Sequence, residues 1–109
     1  MNARLRKSEI LKDKKAISRL FEKGEWNKGR YVNIVSLPAE KRQILFTVAR
    51  HVKGAVIRNR GKRYLRETYR RNKDHFSPER IYGLIIKRFP ESDSLCGIES
   101  DIRIQLQHD

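Results

Sequence analysis

The 109-residue chain has one cysteine, one tryptophan, one methionine and three prolines, and it is short of acids, with 13 Asp+Glu against 26 Lys+Arg. A single cysteine, Cys96, excludes an internal disulfide and a cysteine-based zinc site, and its expected role is that of a small buried hydrophobe. The longest apolar runs, such as Leu84–Ile86, are far too short to cross a bilayer, and Met1-Asn2-Ala3-Arg4-Leu5-Arg6 lacks the apolar centre of a secretory leader. A soluble cytoplasmic protein with no membrane partner is therefore expected. The length suits a single domain over residues 1–109, with roughly two-thirds of its unfolded surface buried.

What is abundant is positive charge. The formal net charge is +13, which makes nucleic acid the default partner. The distribution is uneven. Residues 91–109 carry five acids (Glu91, Asp93, Glu99, Asp101, Asp109) against Arg103 alone, a local balance of −4, so the cationic surface belongs to the first 90 residues.

Apolar periodicity gives the element order. Leu11, Ala16, Ile17, Leu20 and Phe21 recur at helical steps up to Gly24, predicting a first helix from Ser8 to Lys23. Glu25-Trp26-Asn27-Lys28-Gly29 reads as a polar turn. Tyr31–Leu37 and Gln43–Arg50 are rich in β-branched and aliphatic residues and flank Pro38-Ala39-Glu40-Lys41-Arg42, a pattern that predicts an antiparallel hairpin. In the second strand Ile44, Phe46 and Val48 share one face. Leu45, Thr47, Ala49 and His51 share the other, which is only partly apolar and could be open to a ligand.

A long basic helix follows over Val56–Lys73, then a strand over Ile81–Arg88 stopped by Pro90, and a closing helix over Ser94–Gln107 is favoured although Ile102–Leu106 also alternates. A strand, a long helix and a further strand suggest a βαβ crossover in a mixed sheet with helices packed on it, an α/β (α+β) sandwich.

The basic helix carries the functional argument. Val56–Lys73 contains eight Lys/Arg and a single acid, Glu67. Arg58, Lys62, Arg66 and Arg70 fall four apart, with Arg60, Arg63 and Arg71 beside them, while Ile57, Leu65, Thr68 and Tyr69 can face the sheet. Like charges at that spacing destabilise a free helix by a few tenths of a kcal/mol per pair, about the size of an ordinary opposite-charge pair, so stability alone does not select this face. Ordinary solvated faces mix both signs. Arginine in excess of lysine suits bidentate phosphate contacts and stacking on bases. Near the strand face, Phe21, Trp26 and Tyr31 are candidates for stacking on single-stranded bases in a cationic groove, with core packing the alternative role for each.

Val48-Ala49-Arg50-His51-Val52-Lys53-Gly54-Ala55-Val56-Ile57-Arg58-Asn59-Arg60-Gly61-Lys62-Arg63-Tyr64-Leu65-Arg66-Glu67 resembles the signature of the bacterial ribonuclease P protein component, with its Ala-Val-x-Arg-Asn-Arg-x-Lys-Arg-x-x-Arg-Glu core. The resemblance takes in Leu20-Phe21-x-x-Gly24 and the strand ending at Arg88, and covers roughly residues 5–90. It implies a small sandwich like the second domain of ribosomal protein S5, with a left-handed βαβ crossover that carries the Arg-Asn-Arg helix. It further implies a catalytic RNA subunit that uses magnesium to cleave the 5′ leader from precursor tRNA. The protein would hold RNA, bind no cofactor alone, and pair as a monomer 1:1 with that RNA. Carried over residue by residue, Arg58, Asn59, Arg60, Lys62, Arg63 and Arg66 match the motif that touches the RNA subunit or lies near the cleavage site, and Arg70 continues their stripe as a further RNA-subunit contact. Phe21 and Arg50 match the cleft for the leader, to which Ile17, Tyr31, His51 and Lys53 are added as neighbours.

The sequence departs from the family pattern at four positions. Ile17 stands for a usual Phe and cannot stack on a base. Gly61 stands for an apolar residue, at a cost of about 1 kcal/mol of helix propensity. His51 stands for Lys, and Ala49 for Ser.

Catalysis by the protein itself has little support, because His51, His75 and His108 are scattered and no carboxylate cluster is evident. The competing reading is a ribosomal or other basic nucleic-acid-binding protein with no processing role. A helix reading the DNA major groove would show more Asn, Gln and Ser among its arginines than Asn59, Thr68 and Asn72.

Overall fold

The computed structural model describes residues 9–91 and 95–107. Its elements in chain order are α1 (Lys14–Lys23), β1 (Glu25–Lys28), β2 (Val32–Pro38), β3 (Gln43–Val48), α2 (Ala55–Arg71), a 3-10 turn over Lys73–His75, β4 (Arg80–Ile86) and α3 (Leu95–Leu106). The strands form one mixed sheet in the order β1-β2-β4-β3. β4 pairs antiparallel with β2 and parallel with β3. The expected βαβ crossover is therefore present, formed by β3, α2 and β4.

The expected β2–β3 hairpin is not, because β4 lies between its two strands. β4 is the most apolar strand, with Tyr82, Gly83, Leu84 and Ile86 buried, which suits a central position covered on both faces. The link that resembled a hairpin turn is drawn elsewhere. Ala39 N–H donates to the Glu79 carbonyl at 2.8 Å, continuing the β2–β4 pairing. Arg42 Nη1 donates to the carbonyls of Lys73 and Phe76 at 3.2 and 3.1 Å, just beyond α2.

The first helix starts later than its apolar spacing predicted. Asp13 caps it, its carboxylate accepting from Ala16 N–H at 3.3 Å. Ahead of the cap, Ile10 makes a parallel bridge to Ile44, and Leu11 N–H donates to the Ile44 carbonyl at 2.8 Å, so this segment runs along β3. Ser8 lies outside the described residues. The helix ends at Gly24, where a Cβ would sit 2.4 Å from the Leu20 carbonyl oxygen and 2.5 Å from Val35 Cγ2. The polar segment after it, expected as a turn, is the edge strand β1, which pairs Trp26 with Val35 and is exposed throughout.

Two clusters hold the layers together. α2 and α3 lie on one face, where Leu65, Tyr69, Ile98 and Ile102 pack on Ile34, Phe46, Leu84 and Ile86. On the opposite face Leu20 of α1 packs with Leu11 and Val35, flanked by Ile17 and Phe21. β3 shows the alternation expected, with Ile44, Phe46 and Val48 buried and Leu45 and Thr47 half-buried. α3 falls on the residues favoured for a closing helix.

An acid fastens α3 to the rest. The Asp101 carboxylate accepts from the backbone N–H groups of Arg30, Tyr31 and Val32 at 3.1, 2.9 and 2.9 Å. Gly29 permits this, since a Cβ there would meet the Asp101 carboxylate at 2.4 Å.

Candidate nucleic-acid interface

Helix α2 begins at Gly54, whose φ of +99° is the left-handed conformation that disfavours side chains. No side chain caps this end, and the first turn contains no acid. Arg58 closes the junction from within. Its Nη1 donates to the carbonyls of Ala49 and Val52 at 2.8 and 3.0 Å, and its Nη2 to the Val48 carbonyl at 2.9 Å. A guanidinium on three backbone acceptors is a structural tether, so Arg58 does not stand in the open stripe that sequence spacing suggested.

Helix geometry explains the difference. Each step of four residues overshoots a full turn by about 40°, so Arg70 lies about 120° round from Arg58. Gly61, Leu65, Thr68 and Tyr69 are buried against the sheet. Arg58 sits at the margin of that face, Lys62 and Arg60 are half-buried, and Asn59, Arg63, Arg66 and Arg70 are exposed. Ile57, expected to pack inward, is 42% exposed, and Val56 beside it is 73% exposed.

Compensating acids gather at the far end. Glu67 bonds Arg70 and lies 3.5 Å from Arg71, and the Arg70 guanidinium holds its carboxyl below the usual carboxylate range. Glu99 of α3 lies 3.4 Å from Arg71 and accepts from Asn72 at 2.8 Å. Glu9 lies 3.0 Å from Lys73 and accepts from the Tyr69 hydroxyl. Burial and then this carboxylate raise the Tyr69 hydroxyl well above its ordinary pKa.

The six residues assigned to a leader cleft separate into three places. Phe21 and Ile17 lie on the α1 face with Leu45 and Ile85, and the Phe21 ring is 5.7 Å from that of Trp26. α1 packs on β2 and β4, leaving Leu45 and Thr47 of β3 partly open beside it. Arg50, His51 and Lys53 are exposed in the β3–α2 connection, where His51 Nε2 is 2.7 Å from the Lys87 carbonyl. Tyr31 packs instead with the cluster beneath α2 and α3, its ring under the Arg30 guanidinium at 5.6 Å. It belongs to the opposite side of the sheet from Phe21. Cys96, expected to be buried, is exposed on α3. Among the described residues no helix is long and apolar enough to cross a membrane.

A family model described as Ribonuclease P matches residues 5–104. The chain belongs to the ribonuclease P protein family. Among curated relatives, the ribonuclease P protein component of Coprothermobacter proteolyticus is 33% identical over 98 residues, covering 90% of this chain and 77% of the relative. That of Chlorobium phaeobacteroides is 40% identical over 109 aligned positions, covering 92% and 69%. The Thermus thermophilus component is 44% identical over 61 residues, covering 56% of this chain but 37% of its own length. The RNase P protein of Staphylococcus aureus superposes with a TM-score of 0.79 at 19% identity, over 93% of this chain and 94% of that one. The Thermotoga maritima RNase P protein gives 0.77 at 17%, over 93% and 98%. At these identities the structures show a shared fold, which is the mixed α/β sheet with helices described above. Membership ties the chain to ribonuclease P, a ribonucleoprotein of tRNA processing.

Sequence reasoning passed over two arginines, Arg30 and Arg88. They stand at opposite strand ends, and only the antiparallel register of β2 with β4 brings those ends together.

Proposed function

We propose that the chain is the RNA-binding protein subunit of ribonuclease P, which binds the catalytic RNA and the 5′ leader of precursor tRNA and assists magnesium-dependent removal of that leader. The observation that carries the reading is the exposed basic surface of α2. Asn59, Arg63 and Arg66 are exposed on it, the ion pairs of Glu67 and Glu99 go to Arg70 and Arg71, and the basic Arg50–Lys53 connection leads into the helix. A polyanion supplies the charge this surface lacks.

In this reading Asn59, Arg60, Lys62, Arg63, Arg66 and Arg70 meet the RNA subunit. Arg58 shapes the junction that presents them. The leader runs over the partly open α1 face, where Phe21 with Trp26 offers rings for stacking and Arg50 and Lys53 meet phosphates. Ile17 contributes an apolar wall without a π-face, and Tyr31 supports the fold from the other side. The RNA subunit holds the magnesium and carries the hydrolysis, and one protein binds one RNA. His51 stays beside the leader path, its Nε2 2.7 Å from the Lys87 carbonyl.

Reconstitution of the full chain with a bacterial ribonuclease P RNA at low magnesium, scored by mature tRNA 5′ ends, tests this. Stimulated cleavage is expected. Binding without stimulation would favour a basic RNA-binding protein with no processing role. Engagement of four to six phosphates gives a log–log salt slope of about −3 to −4 for leader binding, and a slope near zero would defeat the electrostatic account.

A further inference from the structure

Arg30 lies in the turn between β1 and β2, and Arg88 lies two residues beyond β4. Arg88 Nε donates to the Arg30 carbonyl at 2.8 Å, which ties its side chain to the turn that carries Arg30. The Arg30 guanidinium is stacked over Tyr31. Both are displayed from a braced backbone, since Asp101 takes the N–H groups of residues 30–32 and Lys87 N–H donates to the Tyr31 carbonyl at 2.8 Å.

Together with Tyr31, Phe89, Pro90 and Glu91, the two arginines line a cavity of about 550 Å³. Two arginines line this one cavity and Glu91 is the single acid among its described lining residues, so the lining carries net positive charge and favours an anion. The cavity is larger than a phosphate group requires. Its aromatic wall and its ring-stacked guanidinium are the surfaces on which unpaired RNA bases stack.

The position of the cavity identifies which RNA fits. The Phe89 ring is 6.4 Å from that of Tyr64 on α2, and its Cζ lies 3.1 Å from where a Cβ of Gly61 would be. The cavity wall therefore abuts the flank of the arginine helix. Tyr31 and Phe89 pack with the cluster under α2 and α3, whereas Phe21 and Ile17 belong to the cluster on the other face.

We propose that Arg30 and Arg88 form a nucleotide subsite continuous with α2, which takes a phosphate and an adjoining unpaired base of the RNA subunit rather than of the leader. This deepens, and depends on, the ribonuclease P reading above.

Arg30→Ala is the direct test, because the contacts of residue 30 with Asp101 and Arg88 are made by its main chain and survive the change. The full-length variant is titrated against ribonuclease P RNA and, separately, against a single-stranded leader oligonucleotide, each over a range of salt. Affinity for the RNA subunit should fall about three- to ten-fold with a log–log salt slope shallower by about one, and oligonucleotide binding should not change. Glu91→Gln should tighten binding to the RNA subunit. Unchanged affinity of Arg30→Ala for the RNA subunit would overturn the subsite, as would an equal loss with the oligonucleotide. Failure of the wild-type chain to bind the RNA subunit at all would instead bring down the ribonuclease P reading itself.

Discussion

Replacing Arg58 by alanine should lower thermal stability, because its side chain is a structural tether before it is an RNA contact. The guanidinium donates three hydrogen bonds to the carbonyls of Val48, Ala49 and Val52, the residues that carry the chain from β3 into α2. Hydrogen bonds from a charged donor contribute about 1.5–3 kcal/mol each, but these carbonyls are only part-buried and water replaces some of what is lost. A net cost of about 2–4 kcal/mol follows. In a domain of this size each kcal/mol moves Tm by about 4–8 °C, so a drop on the order of 10–25 °C is expected. Arg58→Lys keeps the charge but not the planar fork, and an ammonium meets at most part of the three acceptors, so it should lose roughly half as much.

Arg63→Ala is the control, since it removes an exposed charge from the same motif and should melt near the wild type while losing affinity for the RNA subunit. Thermal unfolding followed by circular dichroism, in sodium chloride without phosphate or sulfate, measures all three. If Arg58→Ala melts with Arg63→Ala, the tether contributes nothing to stability and Arg58 returns to the group of RNA contacts.

Gly61→Ala gains about 1 kcal/mol of helix propensity, yet its Cβ would lie 2.9 Å from Val48 Cγ2, 3.1 Å from Phe89 Cζ and 3.2 Å from Ile86 Cδ1. Overpacking of about 1–3 kcal/mol should outweigh the gain, and a variant more stable to urea than the wild type would mean that α2 can lift from the sheet. The Tyr69 hydroxyl has a raised pKa, so its contribution to stability is complete below the unfolded value of about 10 and is lost as pH climbs through the higher folded value. Ultraviolet titration should find one tyrosine resisting ionisation in the native protein. Tyr69→Phe should abolish that signal and soften the alkaline loss of stability, and four tyrosines titrating together would contradict the placement.

Much of the fold was legible because its long elements repeat their apolar pattern. α2, β4 and α3 lie where periodicity predicted them, and the parallel β3–α2–β4 unit followed from their order. What escaped was decided by partners distant in sequence. A local turn signal at residues 38–42 could not reveal that β4 would enter between β2 and β3, since that depends on an apolar strand 40 residues later. β1 escaped because an exposed edge strand needs no apolar alternation, only Val35 and its neighbours to pair with.

At the site, composition identified the helix and spacing misplaced its first arginine, because a four-residue ladder winds round the cylinder instead of staying on one side. Tyr31 and Phe21 both read as rings near the strand face, and the sheet separates them. Cys96 was assigned inward from residue type, but the inward positions of α3 are held by Ile98 and Ile102.

The pairing of acids along α2 has a consequence for how the molecule meets its partner. Glu67, Glu99 and Glu9 neutralise the carboxyl end of the helix and its extension, while the amino end has the exposed cations Arg50 and Lys53 just ahead of it, no side-chain cap and no acid in its first turn. The peptide dipoles add partial positive charge at that same amino end, so the fixed charges and the backbone field point the same way. Cations at the positive pole of a helix cost stability in the free protein, and an incoming phosphate chain relieves both the side-chain and the backbone part of that cost. The field also exerts a torque. During a diffusive encounter a polyanion turns the protein amino end of α2 first, so that approach is oriented before any specific contact forms.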